Sequence, residues 1–254
     1  MANVISIMNP KGGVGKTTLA INLASSLAYL GKRTLLIDSD AQSNCTLGMG
    51  MDKNNLTLSL NELLLAEVEP KEVIRPMNMP YLHFIPSSFL LAGVDLFLAT
   101  KFDNENIRLD HELKKIKSKY DFIIIDCPPG IGLNVNAMVA SDNVIIPATC
   151  DFFSKEGLLE AFLSVRRIKI SFNSNIKVMG IVINEFENNS FKREIEKDIK
   201  AMYKNKLFKT KIPRSLKVYE SQRKGIPLIE LDENCVVSKS FLDLAKEVIK
   251  NAKK

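Results

Sequence analysis

Residues 11–18 read Lys11-Gly12-Gly13-Val14-Gly15-Lys16-Thr17-Thr18, between an apolar run at 4–8 and a helical pattern at 17–30. In that pattern Leu19, Leu23, Leu27 and Leu30 share one face, and Gly31 supplies the stop. A strand that enters a glycine-rich turn and leaves as a helix leaves few folds open. The glycines let backbone N–H groups turn inward, and the helix points its positive end at the same spot, so the turn is built for phosphate oxygens. Gly15-Lys16-Thr17 satisfies the end of the general pattern G-x-x-x-x-G-K-[ST], whereas its first glycine would fall at Pro10. In that chemistry Lys16 reaches the β- and γ-phosphates, Thr17 ligates Mg²⁺ and Thr18 donates to the α-phosphate.

The same alternation continues along the chain. Strand-like runs at 33–38, 81–85, 121–126, 143–147, 177–183 and 207–212 alternate with helical patterns at 56–66, 106–119, 155–170, 190–203 and 238–250. Strands apolar on both faces call for helices on both sides. The expected fold is α/β, a doubly wound, mostly parallel sheet of seven or eight strands, of the P-loop NTPase type. No linker composition interrupts residues 1–254, so one domain is expected. Hydrophobic residues at 46% and charged residues at 25% exclude a disordered or collagen-like chain. No run approaches the roughly 18 apolar residues of a membrane span, and the first residues lack the basic start of a secretory signal. Cys45, Cys127, Cys150 and Cys235 are scattered without a CxxC pair, which fits a reducing cytoplasm. His83 and His111 offer no metal cluster.

Ligands of doubly wound folds sit at the carboxyl ends of strands. Asp38 ends the run 33–38 with Asp40 two residues on, and Asp126 ends Phe122-Ile123-Ile124-Ile125 and precedes Cys127-Pro128-Pro129-Gly130. An apolar strand ending in Asp is the arrangement that holds Mg²⁺ or its waters, so Asp38 and Asp126 are candidate metal residues beside Thr17.

The octapeptide 11–18 resembles the deviant Walker A box of the ParA/MinD ATPases, and the resemblance extends over nearly the whole chain, nearest to the short chromosomal, Soj-type ParA proteins. It implies that Lys11 is the signature lysine, reaching the phosphates of a partner subunit in an ATP-bound homodimer. It implies that Asp40, in a segment similar to the family's D-x-D-P-Q-x-N with Ala41 in place of proline, orients the attacking water. The box beginning at Asp126 would sense the γ-phosphate, making Lys11, Lys16, Asp40 and Asp126 the catalytic set. Asn184 and Pro213 would lie against adenine; Ser215 stands where the family has Asn. Asn136, in the segment 132–137, resembles a family L-N-A box, and residues 151–157 resemble a segment that builds the dimer face.

Net charge is +6, and Lys and Arg cluster from residue 192 onward. ParA proteins bind double-stranded DNA without sequence preference through basic residues in this region. Arg214, Arg223 and Lys224 are the first candidates, with Lys217, Lys192 and Arg193 behind them. Without residues ahead of the first strand, no operator-binding helix-turn-helix is expected. The resemblance thus implies a cytoplasmic, nucleoid-associated, Mg²⁺-dependent ATPase of chromosome or plasmid segregation, stimulated by a ParB-type partner. The alternative is a MinD-like membrane switch. Against it, the pattern Phe241, Leu244, Ala245, Val248 reads as a core helix without the bulky tail of a membrane anchor.

Overall fold

The computed structural model describes residues 1–130 and 133–253. The strands are β1 (Asn3–Ile7), β2 (Thr34–Asp38), β3 (Arg75–Pro76), β4 (Leu82–Ile85), β5 (Phe122–Asp126), β6 (Asn143–Thr149), β7 (Lys177–Phe186) and β8 (Leu207–Pro213). The helices, in chain order, are α1 (Lys16–Tyr29), α2 (Asn44–Gly48), α3 (Leu60–Leu64), α4 (Pro70–Val73), α5 (Val94–Lys101), α6 (Arg108–Lys114), α7 (Leu133–Val139), α8 (Ser154–Ser171), α9 (Ser190–Tyr203), α10 (Leu216–Lys224), α11 (Leu228–Leu231) and α12 (Val236–Asn251).

The eight strands form one sheet in the order β3-β4-β2-β5-β1-β6-β7-β8. Only the two-residue β3 runs antiparallel. This is the expected α/β sheet. The side-chain alternation of each strand feeds two separate cores. Ile5, Ile7, Leu36, Phe84 and Ile124 face α1 and α12 with Leu23, Leu27, Phe241 and Leu244. Val4, Leu35, Ile37, Ile123 and Ile125 face the other layer, with Leu63, Leu113, Ala137, Leu158 and Ile199. Each fully buried side chain of this kind contributes about 1.5–3 kcal/mol, so both faces of the sheet are fixed firmly.

Register carries the fold into the site. β2 and β5 pair in parallel with Asp38 opposite Asp126, and β5 and β1 pair with Asp126 opposite Ile7. Two carboxylates are thereby set side by side at the carboxyl end of the sheet, next to the turn that leaves β1.

Candidate nucleotide site

The turn between β1 and α1 is held open by its glycines. Gly13 and Gly15 take φ of +72° and +81°, a left-handed conformation that costs a residue with a Cβ about 1–2 kcal/mol. Gly15 has a second reason. A Cβ there would collide with the Asn184 side-chain amide, whose Nδ2 donates to the Val14 carbonyl at 2.9 Å. Asn184, near the end of β7, therefore braces the loop as well as lining the small pocket beside it. Nothing lies within 4 Å of where a Gly12 Cβ would be, so that side of the turn is open to a ligand.

Lys16 is only 8% exposed, and its Nζ donates to the Lys11 carbonyl at 3.0 Å. Burial lowers its pKa; Asp126, Cys127 and Asp40 pull it back up. Asp126 is fully buried, and neither carboxylate oxygen accepts a hydrogen bond of normal geometry. Burial first and the Asp38 charge next push its carboxyl well above the usual carboxylate range. The Thr17 hydroxyl beside it and the Lys16 ammonium pull the other way. A buried carboxylate without donors is costly unless a cation completes it. The donor set of Asp126 and Thr17 at the mouth of a phosphate loop fits a hard divalent ion that keeps most of its waters.

Asp38 differs from its neighbour. Its Oδ1 accepts the Asp40 N–H at 3.0 Å, and its Oδ2 accepts the Thr46 N–H at 2.8 Å and hydroxyl at 2.7 Å. Burial pushes its pKa up to about 6 in spite of these bonds. Both its oxygens are engaged in holding the 40–46 loop, whereas those of Asp126 accept no hydrogen bond of normal geometry. Asp40, 9% exposed, accepts the Gln42 N–H through Oδ1 at 2.9 Å. Its carbonyl is pinned by the Ser87 hydroxyl at 2.6 Å. Sequence reasoning missed Thr46 and Ser87, because nothing in their local sequence announces that they meet Asp38 and Asp40.

Lys11 leaves its own loop. Its Nζ sits 2.7 and 2.8 Å from the two carboxylate oxygens of Asp151, and 5.8 Å from the centre of the Phe153 ring. Phe152 and Phe153 are 80% and 59% exposed and stack edge to face. Asn136, by contrast, is buried: its amide accepts from Leu109 N–H and donates to the Glu105 carbonyl, tying α7 to the turn before α6. It is an internal brace. Gly132 of the same segment lies outside the described residues.

A small pocket of about 60 Å³ beside the loop is lined by Thr18, Asn184, Ser215 and Arg214, together with Tyr219 and Gln222 of α10. Gln222 donates to the Thr18 hydroxyl at 3.1 Å. Ser215 caps α10 by accepting the Lys217 N–H at 3.2 Å, and Pro213 closes β8 without lining the pocket. Of the six basic candidates Arg214 alone lines this pocket, and the six fall into two groups by their ion pairs. Lys192 and Arg214 share Glu187 at 3.0 and 3.5 Å, with Arg193 bonded to Asn188. Lys217 and Lys224 share Glu220 at 3.0 and 3.1 Å on α10, with Arg223 exposed between them. A larger hollow of about 1060 Å³ opens elsewhere, at the amino ends of the strands around Asn3, Asp121 and Asn143, far from the loop and the aspartates.

A parallel sheet that delivers a glycine-rich strand-to-helix loop and a strand-end carboxylate to one edge defines the P-loop NTPase class. Residues 2–178 match the family model AAA_31, described as an AAA domain. The chain is 36% identical over 253 residues to the sporulation initiation inhibitor protein Soj of Bacillus subtilis, covering 99% of this chain and 100% of that protein. It is 37% identical over 250 residues to the chromosome partitioning protein ParA of Caulobacter vibrioides, covering 97% and 93%. Its fold is similar to cobyrinic acid a,c-diamide synthase from Mycobacterium smegmatis, solved with ADP and magnesium, at a TM-score of 0.86 and 26% identity over 100% and 96% of the two chains. The chain belongs to the family of ParA/Soj-type ATPases. No helix among the described residues is long and apolar enough to cross a membrane.

Proposed function

We propose that this protein is an ATP-driven switch for DNA partitioning, which pairs with a second copy when ATP is bound, coats DNA without sequence preference and is reset by a ParB-type activator. The observation that carries the reading is Lys11. A phosphate-loop lysine that leans onto Asp151, beside two exposed aromatic side chains, serves a site completed by another subunit better than one confined to its own loop.

The loop residues 11–15 offer backbone N–H groups to the phosphates, Lys16 exchanges the Lys11 carbonyl for β- and γ-phosphate oxygens, and Thr18 turns from Gln222 to the α-phosphate. Thr17 and Asp126 would hold Mg²⁺, which would supply positive charge to the phosphates as negative charge develops on them. Asp40 orients the attacking water; Asp38 acts behind it by fixing its backbone. Asn184 and the neighbourhood of Pro213 and Ser215 border the base. Lys11 of each copy neutralises the phosphates held by the other.

Two copies side by side double the basic area around the base pockets, so several DNA phosphates are neutralised together, with steep salt dependence. The MinD-like alternative is disfavoured by α12, whose Phe241, Leu244, Ala245 and Val248 are spent in the core. The test is a mobility shift of the Asp40→Ala protein with Mg²⁺-ATP across a salt series. Binding to any DNA sequence, weakening as salt rises, supports the reading. A protein that ignores DNA at low salt but sediments with anionic liposomes overturns it.

A further inference from the structure

A second concave surface lies at the end of the sheet opposite Asp38 and Asp126. The hollow of about 1060 Å³ opens where β5, β1, β6 and β7 begin. Strand register sets its base, with Phe122 opposite Asn3 and Asn143 opposite Lys177. Phe122 and Val178, both buried, and the half-buried Ile249 of α12 supply apolar lining. Asn143 donates to the side-chain oxygen of Asn3 at 3.2 Å across the same floor. The volume stands at the upper end of the range of small-molecule pockets, about 300–1,000 Å³.

Charge in this hollow is one-sided. Lys32, Lys117, Lys169, Lys177, Lys206 and Lys253 line it against Asp121 and Asp142, a formal +4. Both aspartates are already answered. The Arg33 side chain holds Asp121 at 3.1 and 3.3 Å, and the Arg33 N–H donates to the same carboxylate at 2.9 Å. Lys117 Nζ lies 3.0 Å from Asp142, which also accepts the Val4 N–H at 2.8 Å. Among the described residues Lys169, Lys177, Lys206 and Lys253 form no ion pair. The Lys206 ammonium is fixed at the hollow by donating to the Val178 carbonyl at 2.8 Å.

Helix dipoles account for only part of this charge. Lys32 and Lys253 follow the carbonyl ends of α1 and α12, and Lys169 stands in the last turn of α8. Each such end carries about half a negative charge, so three of them leave about +2.5 unbalanced. That surplus suits a ligand with at least two phosphate groups, and the apolar lining leaves room for a ring beside them. A DNA duplex is convex, and its phosphates would meet the rim without filling the hollow.

We propose that this hollow binds a small molecule carrying two or more phosphate groups, held by Lys169, Lys177 and Lys206, at a site separate from the phosphate loop. Two sources share that chemistry, a free polyphosphate and a nucleoside polyphosphate.

The experiment is a calorimetric titration of the full-length Lys16→Ala protein with inorganic tripolyphosphate at low salt. Binding should saturate and weaken as salt rises. Adding Lys169→Glu/Lys177→Glu should lower the affinity about tenfold, and the milder Lys169→Gln/Lys177→Gln about threefold. Placed in the otherwise wild-type chain, either pair should leave Mg²⁺-ATP affinity unchanged, which shows that the fold is intact. A phosphate loop that still binds would appear as a second equivalent untouched by these lysines, so its failure is separable from that of the hollow. GTP in the Lys16→Ala background distinguishes the sources: tighter binding than tripolyphosphate places a ring on the apolar lining, and equal binding assigns the site to phosphates alone. The proposal is overturned if neither probe binds, if the lysine variants bind both as well as their parent, or if a short DNA duplex displaces tripolyphosphate.

Discussion

Replacing Asp126 with Asn should stabilise the nucleotide-free protein while destroying its use of Mg²⁺. The magnitude comes from the buried pair. Asp38, with three hydrogen bonds to its carboxylate, is still pushed from 3.8 to about 6. At about 1.4 kcal/mol per pH unit, that shift costs folding about 3 kcal/mol above pH 6. No hydrogen bond of normal geometry reaches the Asp126 carboxylate, and burial first and the Asp38 charge next raise its carboxyl well above the usual range against the pull of Thr17. Removing its charge recovers that burial cost, against about 1 kcal/mol for leaving an amide without a partner, so the variant should be the more stable protein near neutral pH. The sign follows from linkage. A carboxyl whose pKa is raised on folding leaves its full stability in place below the unfolded value near 3.8 and removes it as pH rises through the folded value. Wild type should therefore lose stability from about pH 4 to above pH 6, and the gain from the variant should shrink towards pH 5. Urea unfolding without nucleotide at pH 5.0 and 7.5 measures both. A variant less stable than wild type at pH 7.5, or a difference that does not change with pH, refutes the reasoning.

Lys16→Ala should abolish ATP binding in an equilibrium titration with Mg²⁺, because the loop loses its in-line cation; wild-type affinity would remove the phosphate-loop assignment. Asp151→Asn should release Lys11 and lower the protein concentration at which ATP-bound dimers form in sedimentation; an unchanged or higher concentration would show that the ion pair does not restrain Lys11.

The sheet was legible because its strands are apolar on both faces, and seven of its eight appear as contiguous runs in the sequence. β3, two residues long and antiparallel at the edge, is too short to carry a pattern. The long helices α1, α8, α9 and α12 were legible from their apolar stripes, whereas the short α5 and α7, apolar as they are, were not expected. The helix expected over 56–66 shrinks to Leu60–Leu64 because Ser59 caps it through a capping box with Glu62. The polar α10 has no stripe and was missed, although its signals were present: Ser215 as N-cap and Gly225 at φ +64° as C-cap. The pattern at 106–119 breaks after Lys114, and only Arg108–Lys114 is α-helical. In the site, local sequence revealed the loop and the strand-end aspartates. It could not reveal that Lys11 pairs with Asp151 140 residues away, or that Asp38 is consumed by Thr46 and Asp40. Those contacts come from strand order and register, which bring distant loops to one sheet edge.

The central claim, that ATP closes two copies around a shared pair of sites, is tested most directly by sedimentation velocity of the Asp40→Ala protein. With Mg²⁺-ATP the species should shift from monomer to dimer and stay there, whereas ADP, or ATP with Mg²⁺ chelated, should leave it monomeric. A protein that binds ATP yet remains monomeric at every concentration would contradict the account.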